Sequence, residues 1–211
     1  MRKKLLIIFL FNSLFGFSQT NLVAYSRDYE FSEGLFLTVH QFKRNSPISK
    51  SSIISDIPKT DVEFLKEEIQ QKNIVYRDSS GYEHKVEISD IWGYCQNRTI
   101  YINYNNEFNR VNVIGILMQF TALVTTAPGF MDPMYSNYGL STTVNELRQF
   151  VFDTQTNKIY PFDVKSLSIL LKNDPELHSQ YMELGKREKT DSQFIYLRKY
   201  NEKHPLMVPE K

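Results

Sequence analysis

The stretch Ile91-Trp92-Gly93-Tyr94-Cys95-Gln96-Asn97-Arg98-Thr99-Ile100-Tyr101-Ile102-Asn103-Tyr104-Asn105-Asn106 sets the reading of the chain. Ile91 to Gln96 and Thr99 to Tyr104 are two strands joined at Asn97-Arg98. In the second, Ile100, Ile102 and Tyr104 share one face while Tyr101 and Asn103 share the other, the period of two of a half-buried strand. Asn105-Asn106 is a second turn, and Phe108 to Val113 starts another strand. Upstream, Ile74-Val75-Tyr76 passes through the turn Ser79-Ser80-Gly81 into Tyr82 to Ile88, which returns with partial alternation. The whole run from residue 74 reads as a β-meander.

Downstream, Val111 to Phe130 holds no charged residue. Asn112, Gln119, Thr121, Thr125, Thr126 and Pro128 oppose a membrane span, because unpaired polar groups in hydrocarbon are costly. The expectation is a buried central strand or strand pair, with or without a short helix. Phe150-Val151-Phe152 and Ile159-Tyr160-Pro161-Phe162 then flank Asp153 to Lys158 as a hairpin with a polar tip.

After residue 162 the pattern turns helical. Asp163 caps a helix carrying Val164, Leu167 and Leu171. Asp174-Pro175-Glu176 is a helix start, with Asp as N-cap, Pro in the first turn and an acid near the positive end of the dipole. Leu177, Tyr181 and Leu184 form its stripe, and Gly185 is expected to end it. Thr190 and Gln193 have capping-box spacing before a last helix that carries Phe194 and Leu197 and stops before His204-Pro205. Ahead of the meander, Gly34 to Thr38 is a strand candidate, His40 to Arg44 a helical turn, and Thr60 with Glu63 a capping box for a helix that places Val62, Leu65 and Ile69 on one face. Strands first and helices last predict an α+β domain over residues 19–211, mainly β from 74 to 162 and helical from 163 to 204, with the helical tail packed on or beside an antiparallel sheet.

The first residues carry an address. Arg2, Lys3 and Lys4 precede the apolar run Leu5 to Phe11, and Gly16 and Ser18 place small residues before Gln19. Basic start, apolar middle and small-residue end make a signal peptide over residues 1–18. Cleavage leaves about 190 residues, enough for one domain with its own core. Removing Arg2, Lys3 and Lys4 from the 25 basic residues leaves 22 against 24 acidic, a net charge of −2. That balance gives no electrostatic case for nucleic acid. Cys95 is the single cysteine, which excludes an internal disulfide, disfavours a zinc site and suits a small buried hydrophobe.

Chemistry is sparse. The sequence has no G-x-S-x-G elbow, no H-E-x-x-H and no Gly-rich phosphate loop. His40, His84, His178 and His204 have no mutual helical spacing, so no metal and no cofactor is expected. Glu67 and Glu68 are adjacent and diverge on a helix; Asp153 and Asp163 read as turn and cap residues. The exception is Pro128 to Gly139, a loop by its Gly, Pro, Asn and Asp content that nonetheless holds three aromatics and two methionines. Such residues either pack the loop on the core or form a contact surface. In the second case Phe130, Asp132, Tyr135 and Tyr138, with Tyr101 and Asn103 on the outer strand face, form a recognition surface for a protein or carbohydrate partner.

Gly34-Leu35-Phe36-Leu37-Thr38 with Gln41-Phe42, Ile91-Trp92-Gly93-Tyr94-Cys95, Tyr101-Ile102-Asn103-Tyr104 and Asp132-Pro133-Met134-Tyr135 together resemble a family of exported bacterial proteins of unknown function. The resemblance implies a Gram-negative setting (periplasmic, outer-membrane-associated or secreted) and transfers no catalytic residue. Two classes remain. One is a non-enzymatic envelope protein that binds a partner or builds an assembly, with no transmembrane span after signal cleavage. The other is a hydrolase of cell-wall or imported polymer whose groups meet only on folding, in which case Asp132, His178 or His84 should meet another titratable group in a pocket.

Overall fold

The computed structural model describes residues 21–126 and 144–211. The expected signal peptide over residues 1–18 and the loop residues Phe130, Asp132, Tyr135 and Tyr138 lie outside the described residues. The chain runs through β1 (Leu22–Ala24), β2 (Gly34–Phe36), the short helix α1 (Val39–Lys43) and β3 (Ile48–Ser49). A small module follows, made of β4 (Ile53–Ile54), α2 (Phe64–Glu68), β5 (Asn73–Arg77) and β6 (Glu83–Glu87). Six strands come next: β7 (Gly93–Gln96), β8 (Thr99–Tyr104), β9 (Glu107–Val113), β10 (Leu117–Thr126), β11 (Val144–Asp153) and β12 (Lys158–Pro161). Helices α3 (Val164–Leu170), α4 (Pro175–Glu183), α5 (Lys186–Asp191) and α6 (Gln193–Lys203) precede β13 (Met207–Pro209). The fold is α+β, as the sequence predicts.

The meander is real but starts later than residue 74. β7 to β12 pair in chain order, and β2 and β3 extend the same eight-stranded sheet beyond β7. β5 and β6 instead join β4 in a separate sheet. The reason is edge occupancy: β8 takes one edge of β7 and β2 takes the other, so β6 has nowhere to dock. The two short turns follow from their residues. Asn97 and Arg98 between β7 and β8, and Asn105 and Asn106 between β8 and β9, all have φ between 49° and 64°. Positive φ at both central positions gives a turn whose twist matches the flanking strands, and asparagine tolerates it.

The main sheet is rolled. The Trp92 ring, just before β7, lies 5.6 Å from Phe152 on β11, and Tyr104 on β8 lies 4.6 Å from Phe150 on β11. In a flat sheet β7 and β11 would stand about 19 Å apart, four spacings of about 4.8 Å. Curling brings Phe36, Cys95, Ile100, Ile102, Met118, Phe120, Phe150 and Phe152 into one cluster on the concave face. Phe42 of α1 packs into it, 4.6 Å from Phe31 and 4.9 Å from Trp92. β13 pairs with β1 and adds Leu206 and Val208 to that cluster.

The convex face is also covered. Over β10 to β12, Leu117 and Val151 meet Leu167, Leu171, Tyr181 and Leu197 of the C-terminal helices. At the other end, Leu35 and Tyr94 meet Phe64, Leu65, Ile74 and Ile91 of the small module. A bulge at Asn112 separates the two regimes: Gln119 faces Val113 and Phe120 faces Val111, so one extra β9 residue swings Val113 to the helical side. Asn112 Nδ2 donates to the buried Gln119 Oε1 at 3.1 Å, which satisfies the polar group beside the bulge. The charge-free run at 111–126 is thus largely strand β10, with Met118 and Phe120 fully buried. Among the described residues, no helix is long and apolar enough to cross a membrane.

Helix ends agree with the sequence in part. Asp163 accepts from Ser166 N–H at 2.7 Å and Asp174 from Leu177 N–H at 3.1 Å, as their cap spacing predicts. The Thr60–Glu63 box does not form. Asp61 Oδ1 takes the Glu63 N–H, α2 starts at Phe64, and Val62 stays 68 % exposed while Leu65 and Ile69 are buried. Gly185 follows the C-cap Leu184 and opens α5, its N–H donating to Glu188 Oε2 at 2.9 Å. Thr190 donates to Lys186 O inside α5, so Ser192, not Thr190, precedes α6.

One amide ties the helical layer to the sheet. Asn201 on α6 accepts from Leu117 N–H at 2.9 Å and donates to Leu117 O at 2.8 Å, standing in for a neighbouring strand at the start of β10. Gly115 makes room for it, because a Cβ there would overlap the Asn201 amide. Asn201→Ala strands two backbone groups at once and should cost about 2–4 kcal/mol. Urea denaturation reads this; a loss below about 0.5 kcal/mol, the level of an ordinary surface change, would contradict the clamp.

Candidate functional site

Two clefts flank the segment Pro205-Leu206. The first, of about 550 Å³, lies between α1 and the outer face of the β1–β13 pair. Thr38 caps α1 by accepting from Gln41 N–H at 3.2 Å, and Gln41 Oε1 in turn accepts from Leu37 N–H at 2.6 Å. Phe42 is fully buried and orients the helix. Residues three and four apart share a helical face, so His40, Lys43 and Arg44 line up opposite Phe42 and border the cleft. The other wall follows from strand alternation. Val208 points into the core, so Met207 and Pro209 point out, and antiparallel pairing sets Leu22 opposite Pro209 on that same outer face. Ile116 and Leu206 supply the floor.

The chemistry of this cleft is cationic on one side and apolar on the other. Burial pushes the Lys43 ammonium pKa below its ordinary value, and the charge of Asp153 partly opposes the shift. Asp153 is itself engaged, accepting from Gln155 N–H at 2.9 Å and from the Thr156 hydroxyl at 2.7 Å. Among the described residues, no carboxylate stands within ion-pair distance of His40, Lys43 or Arg44. The second cleft, of about 640 Å³, has mixed charge, with Arg27, Arg198 and Glu202 beside Asn112 and Asn201.

Titratable groups do meet elsewhere, at two His–Asp pairs that sequence spacing did not suggest. His204 Nε2 lies 2.8 Å from Asp174 Oδ2, and Lys203 Nζ lies 3.0 Å from Asp174 Oδ1 and 2.6 Å from Glu176. The Leu177 N–H bond, then His204 and Lys203, hold the Asp174 carboxyl down to about 2. This cluster binds the end of α6 to the start of α4. His84 Nε2 lies 2.7 Å from Asp78 Oδ2 and stacks on Tyr76 at 5.2 Å. Asp78 also accepts from the Ser80 and Tyr82 N–H groups, so the pair closes the β5–β6 turn. In both pairs the carboxylate is committed to a cap or turn. His178 is half-buried on α4.

The remaining sequence-predicted residues sort as follows. Tyr101 lies flat on Tyr94 at 4.6 Å and 8°, packed under the small module, and Asn103 Nδ2 donates to Ile88 O at 3.0 Å and Ile91 O at 2.9 Å. What reads as an outer strand face is covered by a second layer. Cys95 is fully buried, its thiol pKa pushed up to about 12 by burial and its Sγ 3.6 Å from Phe31 O. Glu68, expected to diverge from Glu67, does so by turning inward to accept from the Ser55 hydroxyl. Among the described residues, no three His, Cys, Asp or Glu side chains converge as a metal set. Compared with known proteins, the chain matches no family model, no curated protein and no solved structure.

Asp174 makes acid stability testable. Its carboxyl titrates at about 2 in the folded chain against an ordinary 3.8, so its stabilisation is complete above that ordinary value and is lost as pH falls through 2. Urea midpoints measured from about pH 5 to about pH 2 should fall more steeply for the wild-type chain than for Asp174→Asn, which retains a cap acceptor but no charge. Parallel curves would contradict the assignment.

Proposed function

We propose that this chain is an exported, non-enzymatic binding module of a Gram-negative envelope, and that it takes its ligand in the cleft between α1 and the β1–β13 pair. One observation carries the reading: His40, Lys43 and Arg44 line the same cleft as the apolar residues Leu22, Ile116 and Met207. Ligand sites are typically concave and apolar with a few convergent polar groups, and volumes of about 300–1,000 Å³ suit small molecules. The export signal over residues 1–18 and the resemblance of the 34–42, 91–95, 101–104 and 132–135 segments to exported proteins of unknown function support the setting.

The alternative, a hydrolase of cell-wall or imported polymer, draws on the His204–Asp174 and His84–Asp78 pairs. General acid–base work needs a group free to exchange a proton with substrate. Asp174 and Asp78 are each held by backbone N–H groups in a helix cap and a turn, a structural assignment that favours binding.

Expression of the full chain in a Gram-negative host tests both parts. Mass spectrometry of the exported fraction should find a mature chain beginning at Gln19. A panel of small anionic, cationic and neutral apolar fragments, followed by methyl NMR on that chain, should give hits that shift Leu22, Ile116, Leu206 and Met207. An unprocessed chain kept in the cytoplasm would contradict export, and a panel with no hit at these methyls would contradict the cleft as the site.

A further inference from the structure

We propose that the cleft between α1 and β1–β13 holds a free, single-chain anionic amphiphile, with its head on His40, Lys43 and Arg44 and its apolar body along Leu22, Ile116 and Met207. This rests on the binding-module reading above and names the ligand class of that site. The argument is complementarity of two kinds within one cleft. The cations Lys43 and Arg44 border the cleft with His40 beside them, and among the described residues none of the three has a carboxylate at ion-pair distance. Lys43 is half-buried, so part of its hydration is already displaced, and a bound anion restores the lost interaction where the local dielectric is low. Asp153, the carboxylate whose charge reaches Lys43, spends its oxygens on its own turn.

The facing wall favours a ligand with an apolar part. Leu22 is 54 % and Met207 42 % exposed, and a small hydrophilic anion would leave both in water. A neutral apolar ligand would cover them but further desolvate Lys43 without a counter-charge, which is unfavourable. A head with one negative charge and a short hydrocarbon body satisfies both walls. The size agrees: about 550 Å³ accommodates a small molecule, and α1, at five residues, is too short to lie along a bilayer as an amphipathic helix.

The test titrates the exported chain with sodium decanoate, decanol and sodium acetate, all below the micelle concentration of decanoate, by calorimetry and methyl NMR. Decanoate should saturate shifts at Leu22, Ile116 and Met207. Decanol and acetate should bind at least about tenfold more weakly, since each lacks one of the two contacts. Arg44→Glu, at an exposed position, and Lys43→Gln should each weaken decanoate by about tenfold or more with no change in Tm. Unchanged decanoate affinity in Arg44→Glu would overturn the proposal. Equal binding of decanol and decanoate would overturn it too, while leaving the binding-module reading intact. If no probe moves the cleft methyls, both fall. Sedimentation with phosphatidylglycerol vesicles distinguishes the source: vesicle binding that Arg44→Glu abolishes, without decanoate binding, would assign the cations to a membrane surface and overturn the free ligand.

Discussion

The contact between Trp92 and Phe152 is the constraint from which the rest of the molecule follows. These rings lie 5.6 Å apart although β7, which Trp92 immediately precedes, and β11 are four places apart in the sheet. Only a rolled sheet allows that, and a rolled sheet has two unlike faces. The concave face closes on its own aromatics, with Phe36, Phe120, Phe150 and Phe152 sharing one cluster. The convex face is too wide for one cover. It takes two, the C-terminal helices over β10 to β12 and the small module over β2 and β7. The Asn112 bulge re-aims Val113 toward the helical cover, as bulges do where a strand must bend.

The open side of the trough explains where the cleft lies. Phe31 and Phe42 fill it from the N-terminal third of the chain, and Leu206 and Val208 fill it from the C-terminus. Both fillers are amphipathic. α1 buries Phe42 and turns His40, Lys43 and Arg44 outward; β13 buries Val208 and turns Met207 outward. A cationic wall and an apolar wall are therefore by-products of plugging the core, and the proposed ligand site needs no dedicated loop. Pairing β1 with β13 ties the segment from Asn21 to Tyr25 to the C-terminal strand beside that cleft, with the Tyr25 N–H donating to Leu206 O at 2.8 Å and the Glu210 N–H to Asn21 O at 2.8 Å.

Local physics was legible in the sequence and long-range pairing was not. Asn97, Asn105 and Asn106 announced their turns because asparagine adopts positive φ at little cost, a preference that acts within a few residues. Asp163 and Asp174 announced their caps by an equally local effect, a carboxylate that accepts the N–H three residues on. The β7–β8–β9 part of the meander and the β11–β12 hairpin were readable because each strand pairs with the next across a short turn, whereas the pairing of β10 with β11 was not. Whether β6 or β2 takes the free edge of β7 depends on strands far apart in the chain, and periodicity carries no such information. Tyr101 and Asn103 looked solvent-facing because a period of two reports only that the two faces differ; the module that covers them lies elsewhere in the sequence. The Thr60 box failed because Asp61 takes the Glu63 N–H, and the Thr190 box because Thr190 lies inside α5 with its hydroxyl on Lys186 O. The cleft was half legible. His40, Lys43 and Arg44 have helical spacing, but Leu22, Ile116 and Met207 come from three distant points of the chain.

The rolled sheet is best tested through the single tryptophan. In a chain with selectively labelled phenylalanine rings, nuclear Overhauser contacts from the Trp92 indole should reach Phe42 and Phe152 together, since their ring centroids lie 4.9 and 5.6 Å away. Assignment by Phe152→Leu should remove one set of cross-peaks and leave the other. Contacts to Phe42 alone, with none to Phe152 in the folded wild-type chain, would mean an open sheet, and the shared aromatic core on its concave face would not exist.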